Sequence, residues 1–208
     1  LLPRGVMITN GSGLSAGPIA EYTVMAMLAL AKDYRSVIRA ADKREWLLDS
    51  PGKRQLAGSC ALVIGYGSIG RELGRRLQAF DMEVTGVTRS GGEGLLPAEG
   101  WRSRLGEYDW VILSAPATDE TQHMIGAAEL AAMKEDAVLV NIARGTLVDN
   151  AALTEALASM RIGGAILDVT DPEPLPADNP LWQFDNVHVT MHLSGRSQNT
   201  VYIRAAER

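Results

Sequence analysis

The chain has 208 residues, of which 46% are hydrophobic and 22% are charged, and its formal net charge is −5 at pH 7. This length allows one large α/β domain, or one domain with part of another. Charges of both signs are mixed without long runs, which argues against a nucleic-acid-binding surface. The single cysteine, Cys60, has no intrachain disulfide partner. We therefore expect it to be a core residue in a protein of a reducing compartment, the cytoplasm.

The N-terminal part of the chain predicts a short strand at Val6–Thr9 and then a long apolar helix. Pro18 suits the first turn of this helix, which is predicted to run to about Arg39. Ala, Met and Leu residues occupy much of its circumference, so we expect the helix to be buried on more than one side, between domains or subunits. The most apolar part, Ile19–Ala31, is too short to span a membrane and contains Glu21.

The clearest local pattern lies between Cys60 and Leu77. Ala61–Ile64 is a short apolar run with β-branched residues, typical of a buried strand. It leads into G-x-G-x-x-G at residues 65–70, followed by a helix with Ile69, Leu73, Leu77 and Phe80 on one face. An ordinary glycine turn is the alternative, but a strand before and a helix after favour dinucleotide binding. The cofactor-binding residues predicted here are Gly65, Gly67, Ser68, Ile69 and Gly70.

Strands and helices alternate through the remainder of the chain. A polar, glycine-rich loop at Ser90–Gly94 follows the second strand, and Asn150 is predicted to cap a helix with Leu153, Leu157 and Met160 on one side. This alternation predicts an α/β fold with a doubly wound parallel sheet. The later predicted strands are Glu83–Thr88, Tyr108–Ser114, Ala137–Ile142, Ala165–Leu167 and Val187–Thr190, and a further helix is predicted at Glu129–Met133.

Polar residues follow several of these strands, and ligands of such sheets bind beyond the carboxyl ends of the strands. Arg144 follows the fourth predicted strand, Asp168 the fifth and His192 the sixth, with Glu173 a few residues beyond Asp168. A cation, two carboxylates and an imidazole are thus expected to converge on one edge. Each could instead be unremarkable on its own: a strand-end histidine, a solvated arginine, or acids that cap loops.

These segments resemble the coenzyme-binding part of the D-isomer-specific 2-hydroxyacid dehydrogenases. The resemblance rests on Ala20–Leu30, the glycine pattern, Asn141–Gly145, the segment from Leu167 to Pro174, and His192 with Ser194 and Gly195. Met191 departs from the family, which usually has proline before the histidine.

The resemblance implies a Rossmann-type dinucleotide-binding domain with a long N-terminal interdomain or dimerisation helix. It divides the chain into a linker and helix (1–59), the dinucleotide-binding domain (60–191), and the start of a helix (192–208) returning to a substrate domain. That domain is absent, so we expect the sequence to be part of a longer protein.

The resemblance also implies roles for the strand-end residues. His192 would be the general acid and base, Glu173 would hold its imidazole by a hydrogen bond, and Arg144 would bind the substrate carboxylate. Asp168 would contact the nicotinamide side of the cofactor. His188 and His123 lack such neighbours and are interpreted as structural or surface residues, and no metal site is predicted. The other cofactor contacts implied are Ala115, Pro116, Ile142, Ala143, Arg144, Asp168, His192, Ser194 and Gly195.

Cofactor choice depends on the end of the second strand, where an NAD site normally carries an acidic residue. This chain has Thr88, Arg89 and Ser90 instead, so we expect NADP(H) to be preferred, with NAD(H) possible if Arg89 points to solvent or stacks on adenine.

The implied partner is a small 2-oxo acid or D-2-hydroxy acid, such as glyoxylate or hydroxypyruvate, and the implied assembly is a homodimer, with no nucleic-acid or membrane partner. An NAD(P)-sensing binding protein or corepressor on the same fold is the alternative. A third possibility concerns this sequence alone, which could bind cofactor and yet be inactive without a substrate domain.

Overall fold

The structure is a computed structural model that describes residue 11 and residues 13–197. The predicted strand at Val6–Thr9 and most of the predicted C-terminal helix lie outside these residues. The helices are α1 (Ala16–Ala31), α2 (Tyr34–Asp42), α3 (Ser68–Gln78), α4 (Ala127–Ala132) and α5 (Asn150–Ala158). The strands are β1 (Cys60–Ile64), β2 (Glu83–Val87), β3 (Ser90–Gly92), β4 (Leu95–Pro97), β5 (Trp110–Leu113), β6 (Val138–Asn141), β7 (Gly164–Leu167) and β8 (Val187–Val189). Short 3-10 turns occupy Arg102–Glu107, Gly145–Leu147 and Pro180–Gln183.

The described strands form one sheet in the order β3-β4-β2-β1-β5-β6-β7-β8. All neighbouring pairs are parallel except β3 with β4, which confirms the predicted doubly wound parallel sheet. Side chains alternate between two cores, so that Leu62 and Ile64 enter one and Ala61 and Val63 enter the other. Because helices cover both faces, the central strands are apolar at nearly every position.

The long N-terminal helix is the main correction to the sequence prediction. Instead of one helix to Arg39, α1 ends at Ala31 and α2 begins at Tyr34. Asp33 adopts a left-handed backbone (φ 43°), and its side chain accepts a hydrogen bond from the amide of Ser36. Asp33 is therefore the N-cap of a second helix, and capping by an acidic side chain competes with continuation of the first.

Smaller corrections concern loops and helix ends. The predicted polar loop after β2 contains β3, which pairs antiparallel with β4. Asp149, rather than Asn150, caps α5, since its side chain accepts from the amides of residues 151 and 152. Phe80 and Met160 follow the ends of their helices and are exposed, so neither completes the buried face predicted for it. In the described part of the chain, no helix combines the length and apolar character needed to cross a bilayer.

Candidate active site

The glycine turn between β1 and α3 is built by close backbone contacts. Gly65 has φ +96°, and a Cβ there would lie 2.4 Å from the amide nitrogen of Ala115. A Cβ at Gly70 would lie 2.7 Å from the carbonyl oxygen of Gly65, whereas one at Gly67 would meet nothing within 4 Å. The turn is thus closed against the sheet and open on its outer side. There the first-turn amides of α3, from Ser68 onward, lack acceptors within the helix and can bind phosphate.

The end of β2 lies beside this turn, because β1 and β2 are paired and the amide of Tyr66 donates to Val87 O (2.8 Å). The guanidinium of Arg89 is exposed and pairs with the carboxylate of Glu120, with Nη2 2.9 Å from Oε2. Thr88 Oγ1 donates to the carbonyl of Gly91 (3.0 Å), which orders the turn into β3. Ser90 begins β3. A cation therefore stands where the cofactor ribose is expected, and its counter-ion comes from the segment after β5.

The segment after β6 is held by a buried amide. Asn141 is 1% exposed, accepts from the amide of Ala143 (3.0 Å) and donates to the carbonyl of Arg144 (2.9 Å). Gly145 packs against the loop after β7, since a Cβ there would lie 2.0 Å from the carbonyl carbon of Thr170. These contacts place Arg144 next to the loop that carries Glu173. The guanidinium itself donates to Ala143 O (2.6 Å) and pairs with none of the described carboxylates.

The loops after β7 and β8 bring His192 and Glu173 together. Nδ1 of His192 lies 2.8 Å from Oε1 of Glu173, and both side chains are 43% exposed. Because a carboxylate oxygen only accepts hydrogen bonds, Nδ1 carries the proton of this pair. The other ring nitrogen, Nε2, is then left for a ligand. An imidazole oriented by a carboxylate and reachable from solvent is suited to proton transfer.

Asp168 lies directly behind this pair and is 1% exposed. Its Oδ1 accepts from Thr190 Oγ1 (2.7 Å) and the amide of Leu193 (2.9 Å), and its Oδ2 accepts from the amide of Ser194 (3.0 Å). Its main-chain carbonyl accepts from the amide of His192 (2.8 Å). Burial opposes ionisation, but hydrogen bonds from Ser194, Thr190 and the backbone outweigh it, so the pKa of Asp168 lies below its usual value. The carboxylate is charged at neutral pH and fastens the His192 loop.

A cavity of about 320 Å³ adjoins the His192–Glu173 pair. Leu175 and Trp182 form its apolar side. The indole of Trp182 is fixed by a hydrogen bond from Nε1 to the carbonyl of Pro176 (2.9 Å) and remains 45% exposed. The space beside the imidazole is therefore small and partly apolar, which suits a compact organic ligand.

The predicted site residues thus lie at the carboxyl edge of the sheet, but they do not all touch. The structure pairs His192 with Glu173, and it does not pair Arg144 with either. His188 lies on β8. Burial and the nearby positive charge of Arg35 lower the pKa of His188, and the negative charge of Asp33 raises it by less. His123 is exposed in the segment after β5. The sequence-based reasoning missed Tyr22, Glu120, Asn141 and Thr190.

These residues differ in how clearly the sequence alone could have indicated them. Thr190 ends a predicted strand beside His192, and Tyr22 is a polar-tipped residue in an apolar helix, so both could have been singled out. Neither offered a reason to pair it with the other. Nothing near Glu120 in the sequence pointed to Arg89.

Comparison with known proteins identifies relatives along most of the chain. The family model described as D-isomer specific 2-hydroxyacid dehydrogenase, NAD binding domain, matches residues 24–194. A glyoxylate reductase of Korarchaeum cryptofilum is 34% identical over 206 residues, covering 95% of this chain and 62% of that protein. A D-3-phosphoglycerate dehydrogenase of Methanocaldococcus jannaschii is 36% identical over 197 residues, covering 91% of this chain and 37% of that protein.

A solved structure shares the arrangement of the backbone. The NADPH-dependent glyoxylate/hydroxypyruvate reductase of Sinorhizobium meliloti, crystallised in complex with citrate, superimposes with a TM-score of 0.85 at 28% identity. The match covers 98% of this chain and 66% of that one. The chain therefore spans between 37% and 66% of the length of these three relatives.

Proposed function

This chain belongs to the D-isomer specific 2-hydroxyacid dehydrogenase family, and on that premise we propose that the whole protein is an NAD(P)-dependent reductase of small 2-oxo acids. The observation that carries the proposal is the 2.8 Å contact between His192 Nδ1 and Glu173 Oε1, at the sheet edge that also holds the glycine turn. The relatives named for glyoxylate and hydroxypyruvate reduction favour these acids as substrates. The cavity of about 320 Å³ beside the imidazole supports a compact substrate.

The residues of the turn fit a bound nicotinamide dinucleotide. The open side of Gly67 and the first-turn amides of α3 would receive the pyrophosphate. Thr88, Arg89 and Ser90 would lie along the adenosine ribose, and the segments at Ala115–Pro116, Ile142–Arg144 and Ser194–Gly195 would line the remainder of the crevice. When bound, the cofactor supplies the hydride that reduces the substrate carbonyl carbon.

The side chains of the chain itself supply the proton and the orientation. His192, oriented by Glu173, donates the proton on Nε2 to the carbonyl oxygen and takes it back in the reverse direction. Arg144 binds the substrate carboxylate with its planar donor fork once the guanidinium leaves the Ala143 carbonyl. Asp168 holds the His192 loop and would contact the nicotinamide side of the cofactor. The proton from His192 completes the hydroxyl group of the 2-hydroxy acid.

Arg89 supports NADP(H) as the preferred cofactor, with NAD(H) as a weaker one. No carboxylate immediately follows β2 to repel a 2′-phosphate, and Arg89 offers a cation there. Glu120 neutralises this cation in the structure, but both side chains are largely exposed, so the pair is weak and can open.

We further propose a homodimer formed through the groove between α1 and α3. The groove has a volume of about 650 Å³ and is largely apolar, and Met25 beside it is 57% exposed. Glu21 and Arg75 contribute one charge of each sign to its lining, which suits a surface that meets its own copy. Sedimentation at micromolar concentration should show a dimer, and Met25→Glu should shift it toward monomer. A monomeric parent protein would contradict this proposal.

Three segments of the chain would have different tasks in the whole protein. Residues 60–191 would bind the cofactor, residues 1–59 would join domains or subunits, and residues 192–208 would lead toward a substrate domain, since the relatives are longer than this chain. The single cysteine fits a cytoplasmic enzyme.

The deciding experiment measures NADPH and NADH oxidation by the complete protein against a panel of 2-oxo acids. The proposal predicts turnover of glyoxylate or hydroxypyruvate, with higher kcat/KM for NADPH. Tight NADPH binding without turnover of any member of the panel would instead favour a nucleotide-sensing protein.

A further inference from the structure

We propose that Tyr22 is a positioning residue for the loop that carries His192, and that it acts through Thr190 and Asp168. The inference rests on the function proposed above, because it concerns the residue assigned to proton transfer. Its structural basis is a chain of hydrogen bonds that begins on helix α1 and ends at the backbone beside His192.

The donor and the acceptor of each of these hydrogen bonds follow from the number of hydroxyl protons available. Thr190 has one hydroxyl proton, which it donates to Asp168 Oδ1 at 2.7 Å. The contact of 2.6 Å between Tyr22 Oη and Thr190 Oγ1 must therefore use the phenolic proton, so Tyr22 is the donor. The sequence of donation is Tyr22 to Thr190 to Asp168, and an ionised carboxylate at its end strengthens both bonds.

Tyr22 is fixed in the donor role by its surroundings. It is 7% exposed and packs in one of the two apolar cores of the domain. Burial raises its pKa to about 12, although the hydrogen bond with Thr190 lowers it and the charge of Asp168 raises it. The phenol therefore keeps its proton throughout the pH range in which an imidazole titrates. A phenylalanine would fill the same volume, so the hydroxyl is explained by its bond rather than by packing.

At its Asp168 end, the chain of hydrogen bonds holds a strained stretch of backbone at His192. His192 has φ 54°, in the left-handed region that non-glycine residues seldom adopt. The amides of residues 192, 193 and 194 all donate to Asp168, the first to its carbonyl and the others to its carboxylate. The orientation of this carboxylate therefore sets the orientation of the His192 loop. Strained positions of this kind persist only when neighbouring contacts hold them.

The physical consequence is a connection between α1 and the catalytic loop. Tyr22 and Thr190 are separated by 168 residues in the chain, and their bond joins α1 to the segment directly after β8. Without the phenolic donor, Thr190 can rotate and hold Asp168 less firmly. The imidazole of His192 would then spend less time in the productive position, which lowers kcat more than substrate or cofactor affinity.

The test compares two buried tyrosines, each changed to phenylalanine. Tyr108 is 3% exposed, and its hydroxyl has no hydrogen-bond partner among the described residues, so Tyr108→Phe removes an unbonded hydroxyl. We expect Tyr22→Phe to speed amide hydrogen exchange of Leu193 and Ser194 at least fivefold and to lower kcat about 3- to 30-fold. The KM and the Kd for NADPH should change less than twofold. Tyr108→Phe should change none of these quantities more than twofold.

A second pair of variants removes or keeps the middle hydroxyl. Thr190→Val should reproduce the effects of Tyr22→Phe, and Thr190→Ser should restore most of the lost kcat. The double variant Tyr22→Phe/Thr190→Val should be little worse than Thr190→Val alone, since both changes break one chain. Equal and independent losses from the two changes would contradict the proposal, as would a Tyr22→Phe protein indistinguishable from Tyr108→Phe.

The exchange measurement separates this inference from the proposed function. If the complete protein reduces no 2-oxo acid, the function fails, while exchange at residues 193 and 194 still decides whether Tyr22 holds the loop. If the protein is active and exchange is unchanged in Tyr22→Phe, the function stands and the positioning role is overturned.

Discussion

His192 and Glu173 come from different loops, 19 residues apart in the chain, and their Nδ1 and Oε1 atoms meet at 2.8 Å. The contact leaves Nε2 as the ring nitrogen available to a ligand, because the carboxylate occupies the other one. Both side chains are 43% exposed, so a substrate can reach them. This pair is the chemical centre of the proposed reductase.

Glu173→Gln tests the carboxylate of this pair. Gln keeps the size and a hydrogen-bond acceptor but loses the ionised oxygen that makes a charge-assisted bond to Nδ1. We expect kcat for reduction to fall about 10- to 100-fold, because the imidazole is held less firmly in the position for proton transfer. Steady-state rates at saturating substrate and cofactor measure this. A parent-like kcat would show that Glu173 does not orient His192.

Arg144→Lys tests substrate binding. Lysine keeps the charge but loses the planar fork that makes two parallel hydrogen bonds to a carboxylate. We expect KM for the 2-oxo acid to rise at least about tenfold, since one charge-assisted bond is worth roughly 1.5–3 kcal/mol, while the Kd for NADPH stays within twofold. Arg104→Lys, a surface change at an arginine paired with Glu107, serves as the control. An unchanged KM in Arg144→Lys would remove Arg144 from substrate binding.

Substitutions of Arg89 and of Glu120 test cofactor choice, because they are expected to change the efficiency with NADPH in opposite directions. Arg89→Ser should lower kcat/KM for NADPH about tenfold or more and leave that for NADH nearly unchanged, because only NADPH carries a 2′-phosphate. Glu120→Gln should raise kcat/KM for NADPH up to about fivefold, since an exposed ion pair is worth no more than about 1 kcal/mol. Equal efficiency of the parent protein with both cofactors would remove the preference.

Asp168→Asn tests the support of the His192 loop through stability. The native pKa of Asp168 lies below its ordinary value, so its carboxylate contributes stability that is complete above about pH 4 and is lost as pH falls through the native value. Asn would also turn an NH₂ group toward amide donors. We expect the free energy of unfolding at pH 7 to fall by about 1–3 kcal/mol, and the difference from the parent to narrow near pH 3. Urea titration at both pH values measures this.

Asp178→Asn provides the matched control for that measurement, since Asp178 is exposed. It should unfold like the parent at both pH values. A parent-like Asp168→Asn at pH 7 would show that the carboxylate does not secure the loop.

The parts of the fold that were predicted correctly are those with a local signal. A buried strand, a glycine turn and an amphipathic helix follow one another within residues 60–78, so their combination is specific. The alternation of apolar strands with helices likewise favours a parallel sheet, because parallel neighbours need long crossover connections, which are usually helical. Approach of Gly65 to Ala115 and of Gly145 to Thr170 then brings the strand-end loops together.

Two kinds of feature were not predicted. One is the choice between neighbouring residues that can both cap a helix or end it, and the other is contact between distant segments of the chain. Asp33 stops α1 by capping a new helix, although the apolar pattern continues past it. Asp149 and Asn150 are adjacent residues that can both cap, and only the packed structure selects between them. The bonds from Tyr22 to Thr190 and from Arg89 to Glu120 join distant segments, for which a single sequence has no periodicity to reveal pairing.

The most direct measurement is kcat for glyoxylate or hydroxypyruvate reduction by His192→Asn beside His123→Asn in the complete protein. Both histidines have a left-handed backbone, with φ 54° and 48°, which asparagine tolerates, so the two changes are matched in backbone cost. We expect His192→Asn to lose about 10²- to 10⁴-fold in kcat with the Kd for NADPH unchanged, and His123→Asn to keep parent activity. A His192→Asn protein that retains parent kcat, or that loses cofactor binding in step with activity, would contradict the assignment of His192 as the proton donor.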